Sequence, residues 1–319
     1  MRSTNSRRKK SLKTDNIVLS VPFNRLNDVY IKYVLGSPER KHIAIAFINA
    51  VLSHSSYGKR KNTVITDIEF LDRENPGEYE ESKGSRFDIL ARSSDGRIFH
   101  IEIQVGRETF FMQRSFFYVA EDFITQIQRG ESYATFKPVI YIGIMDFRLF
   151  GDSANSEDWY TLHKVMDVKT HEETLPEVEF HMVELPLLRR HIEKLGGKPR
   201  DELEELLCYF GNIGGEKLME EIAERNPTVE ELVALEKVWR MDPWTVRNYI
   251  LNEHDRVYRE NLVKYERGAA LQEGLEEGRK EGFDEGRKSL IRKMRAKTIM
   301  TDEQIADMLN LPLDFVKNA

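Results

Sequence analysis

The stretch Arg86-Phe-Asp-Ile-Leu-Ala-Arg-Ser-Ser-Asp-Gly-Arg-Ile-Phe-His-Ile-Glu-Ile-Gln-Val105 constrains the fold more than any other part of the chain. Around Ser94-Asp95-Gly96 it reads as two strands, and the second alternates throughout. Phe99, Ile101, Ile103 and Val105 point one way, while His100, Glu102 and Gln104 point the other. On the first strand Phe87, Ile89 and Ala91 alternate with Asp88, Leu90 and Arg92. A two-residue Asp95-Gly96 turn would pair Asp88 with Ile103 and put Asp88 and Glu102 on opposite faces. A three-residue loop, Ser94 to Gly96 with Gly96 left-handed, pairs Asp88 with Glu102. Only in that register do the apolar residues of both strands share a face, so burial selects it.

Two carboxylates on neighbouring strands, with Cβ atoms roughly 5 Å apart, repel unless something positive lies between them. A hard divalent cation such as Mg²⁺ takes a few carboxylate oxygens and keeps several waters. Held there, it can activate water and stabilise charge on a phosphoryl group. A solvated hairpin face shows the same alternation, and on pattern alone both readings stand.

Asp88 followed by Glu102-Ile103-Gln104 is similar to the PD-(D/E)XK nuclease core, in the variant where Gln replaces the usual Lys. Further segments agree: Asn27-Asp-Val-Tyr-Ile-Lys-Tyr-Val-Leu-Gly36, Phe47-Ile-Asn-Ala-Val-Leu52, Lys83-Gly-Ser-Arg-Phe-Asp88 and Pro138-Val-Ile-Tyr-Ile-Gly-Ile144. Tyr118 and the Gln126, Gly130, Tyr133 spacing fit as well. Over about residues 15 to 190 the chain resembles the PD-(D/E)XK family transposases, also called the recombination-promoting nuclease/putative transposase (Rpn) family. The resemblance implies an α/β restriction-endonuclease-like core of helix, three strands, helix and strand, followed by a helical C-terminal extension. It also implies a divalent-metal-dependent endonuclease acting on double-stranded DNA, linked to recombination or mobile elements, with Mg²⁺, Mn²⁺ or Ca²⁺ as cofactor. Carried over by residue, Asp88 and Glu102 are metal ligands, the Ile103 carbonyl lies near the ion, and Gln104 occupies the catalytic Lys position. A Gln can orient a water or phosphate but supplies no charge. Lys83, Arg114 and Tyr118 are supporting candidates, and Arg114 and Tyr118 fit a role in holding a scissile phosphate. Without the family, Arg114, Tyr118 and Asp122, at four-residue spacing, read as a surface salt-bridge row with a half-buried Tyr. Asp28 reads either as a further acidic contact or as a helix N-cap.

Composition sets outer limits. The 319 residues are 40% hydrophobic and 32% charged, as in a soluble protein with one main domain and appendages. No apolar run approaches the roughly 20 residues of a membrane span, and residues 1 to 16 are basic and polar, unlike a secretory signal. Cys208 is the single cysteine, which excludes an internal disulfide and suits a reducing cytoplasm. His163, His171 and His181 are isolated and read as strand or loop polar residues. A net charge of −6 leaves phosphate contact to local clusters: Arg7 to Lys10, Arg189 to His191, and Arg287 to Lys297. Each of these also reads as a solvated face or tail.

Along the chain, residues 1–16 read as a basic disordered tail and 17–190 as the nuclease-like domain. Residues 191–265 read as a helical region, and 266–319 as a Glu-Gly repeat helix with a short terminal helical hairpin. Pro38 opens a helix to about Leu52; Thr63 to Leu71 is a strand; the acidic stretch Asp72 to Gly84 is a loop or a mobile lid. Thr109 to Arg129 is a helix, Lys137 to Met145 a buried central strand, and Trp159 to Val168 and Val178 to Leu185 further strands. Helical segments follow at Glu202 to Phe210, Val229 to Val238 and Trp244 to Tyr265. Gly274, Gly278, Gly282 and Gly286 form a stripe that suits either close helix approach, as in a homo-oligomer, or a tolerant linker helix. Thr301-Asp-Glu-Gln304 is a capping box that opens a terminal helix with Ile305, Met308 and Leu309 on one face. Besides the nuclease, a catalytically inactive PD-(D/E)XK relative that binds DNA or protein fits the chain. A helical oligomerisation protein would explain the tail but not the register.

Overall fold

A computed structural model describes residues 23–55, 64–71, 89–107, 109–150 and 157–319. Its elements run α1 (Asp28–Leu35), α2 (Lys41–His54), β1 (Ile68–Phe70), β2 (Ile89–Ser93), β3 (Ile98–Gln104), α3 (Phe111–Ile124), β4 (Val139–Met145), β5 (Tyr160–Met166) and β6 (Glu173–Glu184). Helices α4 (Leu185–Lys194), α5 (Glu202–Phe210), α6 (Gly215–Ala223), α7 (Pro227–Trp239), α8 (Pro243–Lys297), α9 (Asp302–Leu309) and α10 (Leu313–Lys317) follow. The six strands form one mixed sheet in the order β1-β2-β3-β4-β6-β5. The expected α/β core of helix, three strands, helix and strand is present, with helices after it.

The hairpin adopts the register that burial selects. Ile89 pairs with Ile101, Leu90 with His100, Ala91 with Phe99 and Arg92 with Ile98. Ser93 N–H donates to the Arg97 carbonyl at 2.9 Å, closing the ladder around Ser94-Asp95-Gly96, and Gly96 has φ +89°. Asp95 fastens the loop by accepting from Ser93 Oγ at 2.5 Å and Arg97 Nε at 2.9 Å. Burial alone would raise the Asp95 pKa; the hydrogen bonds from Arg97 and Ser93 outweigh it and hold the carboxyl at about 2.

Alternation along β3 divides the molecule into layers. Phe99, Ile101 and Ile103 enter a large core with Tyr30, Ile31, Val34 and Leu35 of α1 and Ile43, Phe47 and Val51 of α2. The same core takes Leu203, Leu206 and Phe210 of α5, Ile222 of α6, and Val229, Leu232 and Trp239 of α7. Ile98 faces the other way, into a smaller cluster with Phe111, Tyr118 and Val119 of α3, Tyr141 and Met145 of β4, and Phe180 and Met182 of β6. β4 lies between parallel partners β3 and β6, and all seven of its residues are buried, as a continuous apolar run predicts for a central parallel strand.

Several boundaries differ from the sequence expectation, for local reasons. The first strand is only Ile68–Phe70, because the Asn49 side chain takes over pairing upstream: Oδ1 accepts from Ile65 N–H at 2.8 Å and Nδ2 donates to the Ile65 carbonyl at 2.9 Å. Pro38–Arg40 form a 3₁₀ turn ahead of α2. Pro227 stands in the first turn of α7 behind the Asn226 cap, as expected. The Asp72 to Gly84 lid candidate lies outside the described residues.

The chain divides into two compact units, Met1–Glu253 and His254–Ala319. Within the second, Ile291 of α8 packs with Ile305 and Ala306 of α9 and Val316 of α10. The Thr301-Gln304 capping box forms, and left-handed Asn310 ends α9. Met308 departs from the expected apolar face and is 61% exposed. Among the described residues no helix is long and apolar enough to cross a membrane.

The glycine stripe runs along α8, and a Cβ at Gly274, Gly278, Gly282 or Gly286 would meet no atom within 4 Å. Nothing among the described residues therefore requires glycine there. Gly278→Ala should stabilise the helix by about 1 kcal/mol, read as a rise in thermal midpoint by circular dichroism. A destabilised variant with a changed mass in light scattering would mean that the stripe packs against another copy.

Candidate active site

The polar face of β3 is not solvated; α3 lies over it. His100 is fully buried and Glu102 is 4% exposed. A carboxylate so placed is costly without a charge or donor on each oxygen, and both are supplied. Arg114 Nη2 of α3 donates to Glu102 Oε1, and the Tyr141 hydroxyl of β4 donates to Glu102 Oε2. Gly143 is the β4 residue paired with Glu102, and a Cβ there would meet Tyr141 Cε1 at 3.1 Å and Met182 Sδ at 3.0 Å. Glycine thus makes room for the Tyr141 ring beside the carboxylate.

Arg114 Nη2 also donates to Gln104 Oε1 at 3.1 Å, so one guanidinium nitrogen bridges Glu102 and Gln104. Gln104 Nε2 donates to the Gly106 carbonyl at 3.0 Å, which fixes the amide orientation. One and two helical turns further along α3, Tyr118 stacks on the His100 ring (centroids 5.2 Å apart, 11° between planes), and Asp122 Oδ2 lies 3.0 Å from His100 Nδ1. The four-residue spacing of Arg114, Tyr118 and Asp122 therefore does mark one face, but that face is turned onto the sheet. This corrects the surface salt-bridge reading: Tyr118 is 3% exposed and Asp122 is buried too.

Glu102, Ile103, Gln104, Arg114 and Tyr118 are thus brought together at β3 and α3. Asp88 and Lys83 lie outside the described residues; Asp88 directly precedes Ile89, whose partner is Ile101. Asp28 belongs elsewhere. Its helix packs into the large core on the opposite face of the sheet, and Asn27, not Asp28, is the N-cap, accepting from Val29 N–H at 3.0 Å. Asp28 is the first helical residue, where a carboxylate favours the helix dipole. His181 is not isolated: its Nδ1 is 2.7 Å from the Tyr160 hydroxyl, and Nε2 is 3.2 Å from Glu179, which also pairs with Lys164 at 3.1 Å. Of the basic clusters, Arg189 pairs with Asp146 and His191 with Glu204, so these two serve the fold. Arg7 to Lys10 lie outside the described residues. Among the described residues no group of three or more His, Cys, Asp or Glu converges on a metal position.

The model for the PD-(D/E)XK nuclease family transposases matches residues 25–266. The chain belongs to this family. No curated protein and no solved structure matches it. Family membership makes this a nuclease-type chain related to transposition, and the match runs past the sheet through α4 to α7 and into α8.

Tyr141, Gly143 and His100 are the site residues that sequence reasoning left without a role. Tyr141 and Gly143 read only as parts of a buried strand. The one signal for them is their parity with the β3 polar face, which needs the β3–β4 register to be used. Removing Arg114 should be costly, because it strands a buried carboxylate: Arg114→Ala should lose about 3 kcal/mol. In the Glu102→Gln background the same change should lose much less, a coupling that chemical denaturation of the four proteins of a double-mutant cycle measures. Additive effects would mean that the ion pair contributes nothing to the fold.

Proposed function

We propose that this chain is a divalent-metal-dependent DNA endonuclease linked to recombination or mobile elements, with its centre on the β2–β3 hairpin. The observation that carries the reading is the bridge by which Arg114 joins Glu102 and Gln104. Gln104 stands where the superfamily usually has a Lys, and it brings no charge. The Arg114 guanidinium restores a fixed positive charge at that spot, of the planar kind that suits a phosphate.

The donor set fits a hard cation in kind, since carboxylate, amide and backbone carbonyl oxygens are what Mg²⁺, Mn²⁺ or Ca²⁺ prefer. Asp88, Glu102 and the Ile103 carbonyl would hold it, Asp88 being the residue that directly precedes Ile89, the partner of Ile101. Such an ion supplies an activated water and charge neutralisation at the phosphoryl group. The chain's own residues do the positioning. Gln104 orients a water or phosphate oxygen through its amide, which Gly106 holds in place. Arg114 draws the scissile phosphate to the carboxylates, and Tyr141 keeps Glu102 oriented from behind. Tyr118 acts through packing against His100 rather than on substrate. Double-stranded DNA is the proposed substrate, the cytoplasm the proposed compartment, and the C-terminal helices the proposed surface of self-association.

One observation favours a second reading, an inactive relative that binds DNA or protein: both Glu102 oxygens are already taken, by Arg114 and Tyr141. A cation would have to share or displace one of these two bonds. Cleavage of supercoiled plasmid with Mg²⁺, Mn²⁺ or Ca²⁺ beside an EDTA control separates the readings. Wild type should nick or linearise plasmid only with metal, and Asp88→Ala or Glu102→Ala should lower the rate at least about 100-fold. Gln104→Ala should weaken cleavage, and Gln104→Lys should preserve or raise it. Equal cutting by wild type and Glu102→Ala would remove the hairpin from the chemistry; no cutting with any metal would favour the inactive relative.

A further inference from the structure

Helix α3 is apolar on two sides. Its buried side turns Phe111, Tyr118 and Val119 into the cluster on the sheet, with Ser115 and Asp122 between them. The opposite side carries Phe110 at the N-cap, then Gln113, Phe116, Phe117, Ala120 and Ile124, at helical spacing. Phe110, Phe116, Phe117 and Ile124 are between 59% and 71% exposed. The patch continues past the end of the helix to exposed Tyr133, whose ring lies 5.7 Å from that of Phe136, itself 5.4 Å from Phe123. A helix that is apolar all round is a buried helix, and nothing among the described residues covers this side.

Area and symmetry both point to a second copy of this chain as the occupant. Four aromatics and Ile124 at these exposures present roughly 600 Å², the upper end of what a monomer leaves in water. A standard stable interface takes roughly 800 Å² from each partner, so the patch supplies the greater part of a dimer contact. Phe110 and Ile124 each lie seven residues from Phe117, so the stripe is centred on Phe117 and reads alike in both directions. Laid antiparallel across a twofold axis at Phe117, two α3 helices set Phe117 on Phe117 and Phe110 of each copy on Ile124 of the other. Gln113 then meets Glu121, an amide donor beside a carboxylate. A parallel crossing would set Glu121 against Glu121 and align the two helix dipoles. None of the outward residues of α3 is Lys or Arg, so the phosphates of DNA find nothing to hold on this side.

We propose that the outer side of α3 is the core of an isologous homodimer contact, with two copies crossing antiparallel at Phe117 and Phe110, Phe116, Ile124 and Tyr133 packed around the axis. The helix then serves two partners: its inner side holds Arg114 against Glu102, and its outer side holds the second copy. This surface is separate from the C-terminal helices, and the proposal stands whether or not the chain cuts DNA.

The test uses the full-length protein and two readouts. In light scattering, wild type should have a mass of at least two chains. Phe117→Asp, at an exposed position, brings two carboxylates together at the axis and should halve that mass, whatever the C-terminal helices add. Circular dichroism confirms that the variant is folded. Cysteine placement reads the register independently. Cys208 is buried, so wild type is the control for background linkage. On mild oxidation Phe117→Cys should give a disulfide-linked dimer, because a residue on the axis meets its own copy. Phe110→Cys alone should not, whereas Phe110→Cys combined with Ile124→Cys should. A monomeric wild type, as when another segment of the chain covers the patch, would overturn the proposal. An unchanged mass in folded Phe117→Asp would do the same. So would self-linking of Phe110→Cys equal to that of Phe117→Cys, the mark of a parallel crossing or of chance collision.

Discussion

The buried carboxylate of Glu102 is the constraint on which the arrangement around β3 depends. A carboxylate at 4% exposure within a sheet must have its charge and both oxygens answered. Arg114 answers one and so fastens α3 to β3; Tyr141 answers the other and so ties β3 to its parallel neighbour β4. From these two bonds follow the glycine at position 143, the buried stack of Tyr118 on His100, and the fixed amide of Gln104. A charge network of this sort contributes less to net stability than apolar residues of the same volume would. Its presence in the centre of the sheet fits the proposed role of Glu102 as a metal ligand better than that of a stabilising device.

The hairpin register was legible because one strand alternates perfectly and a glycine sits where the loop needs a positive φ. Those two facts are enough to exclude the competing two-residue turn on the amino-acid pattern alone. The order of elements was legible for the same reason, since helical and strand periods separate cleanly from residue 38 to residue 145, whereas the helix at Asp28–Leu35 was read only as a motif. What α3 does was not legible. Spacing places Arg114, Tyr118 and Asp122 on one face, but periodicity says only that residues share a face and never which surface that face meets. The partner face on β3 carries His100 and Glu102, polar residues that pattern alone assigns to water. Asn49 shortening β1 and Asn27 displacing Asp28 as the cap have the same origin: a side chain replaces a backbone partner, and strand or helix period carries no trace of it.

Arg114 gives the family's variant core a physical rationale in this chain. The usual lysine places an ammonium next to the carboxylates on the same strand. Here an amide holds that position, and the charge arrives from the helix packed above it, on a guanidinium that contacts both the carboxylate and the amide. Under the proposed function this division separates two tasks that one lysine would combine: orientation by Gln104 and charge by Arg114. Under the proposal it also sets a condition on metal binding, because both Glu102 oxygens already accept hydrogen bonds, from Arg114 and Tyr141.

That condition makes metal binding the most direct test of the proposal. Titration of Mn²⁺ into the full-length protein, followed by electron paramagnetic resonance of the free ion, compares wild type with Glu102→Gln, which keeps the volume of the side chain and removes its charge. A site built on Glu102 requires that wild type take up Mn²⁺ and that Glu102→Gln lose it. Equal uptake by the two proteins, or none by wild type, would contradict a metal centre at the hairpin.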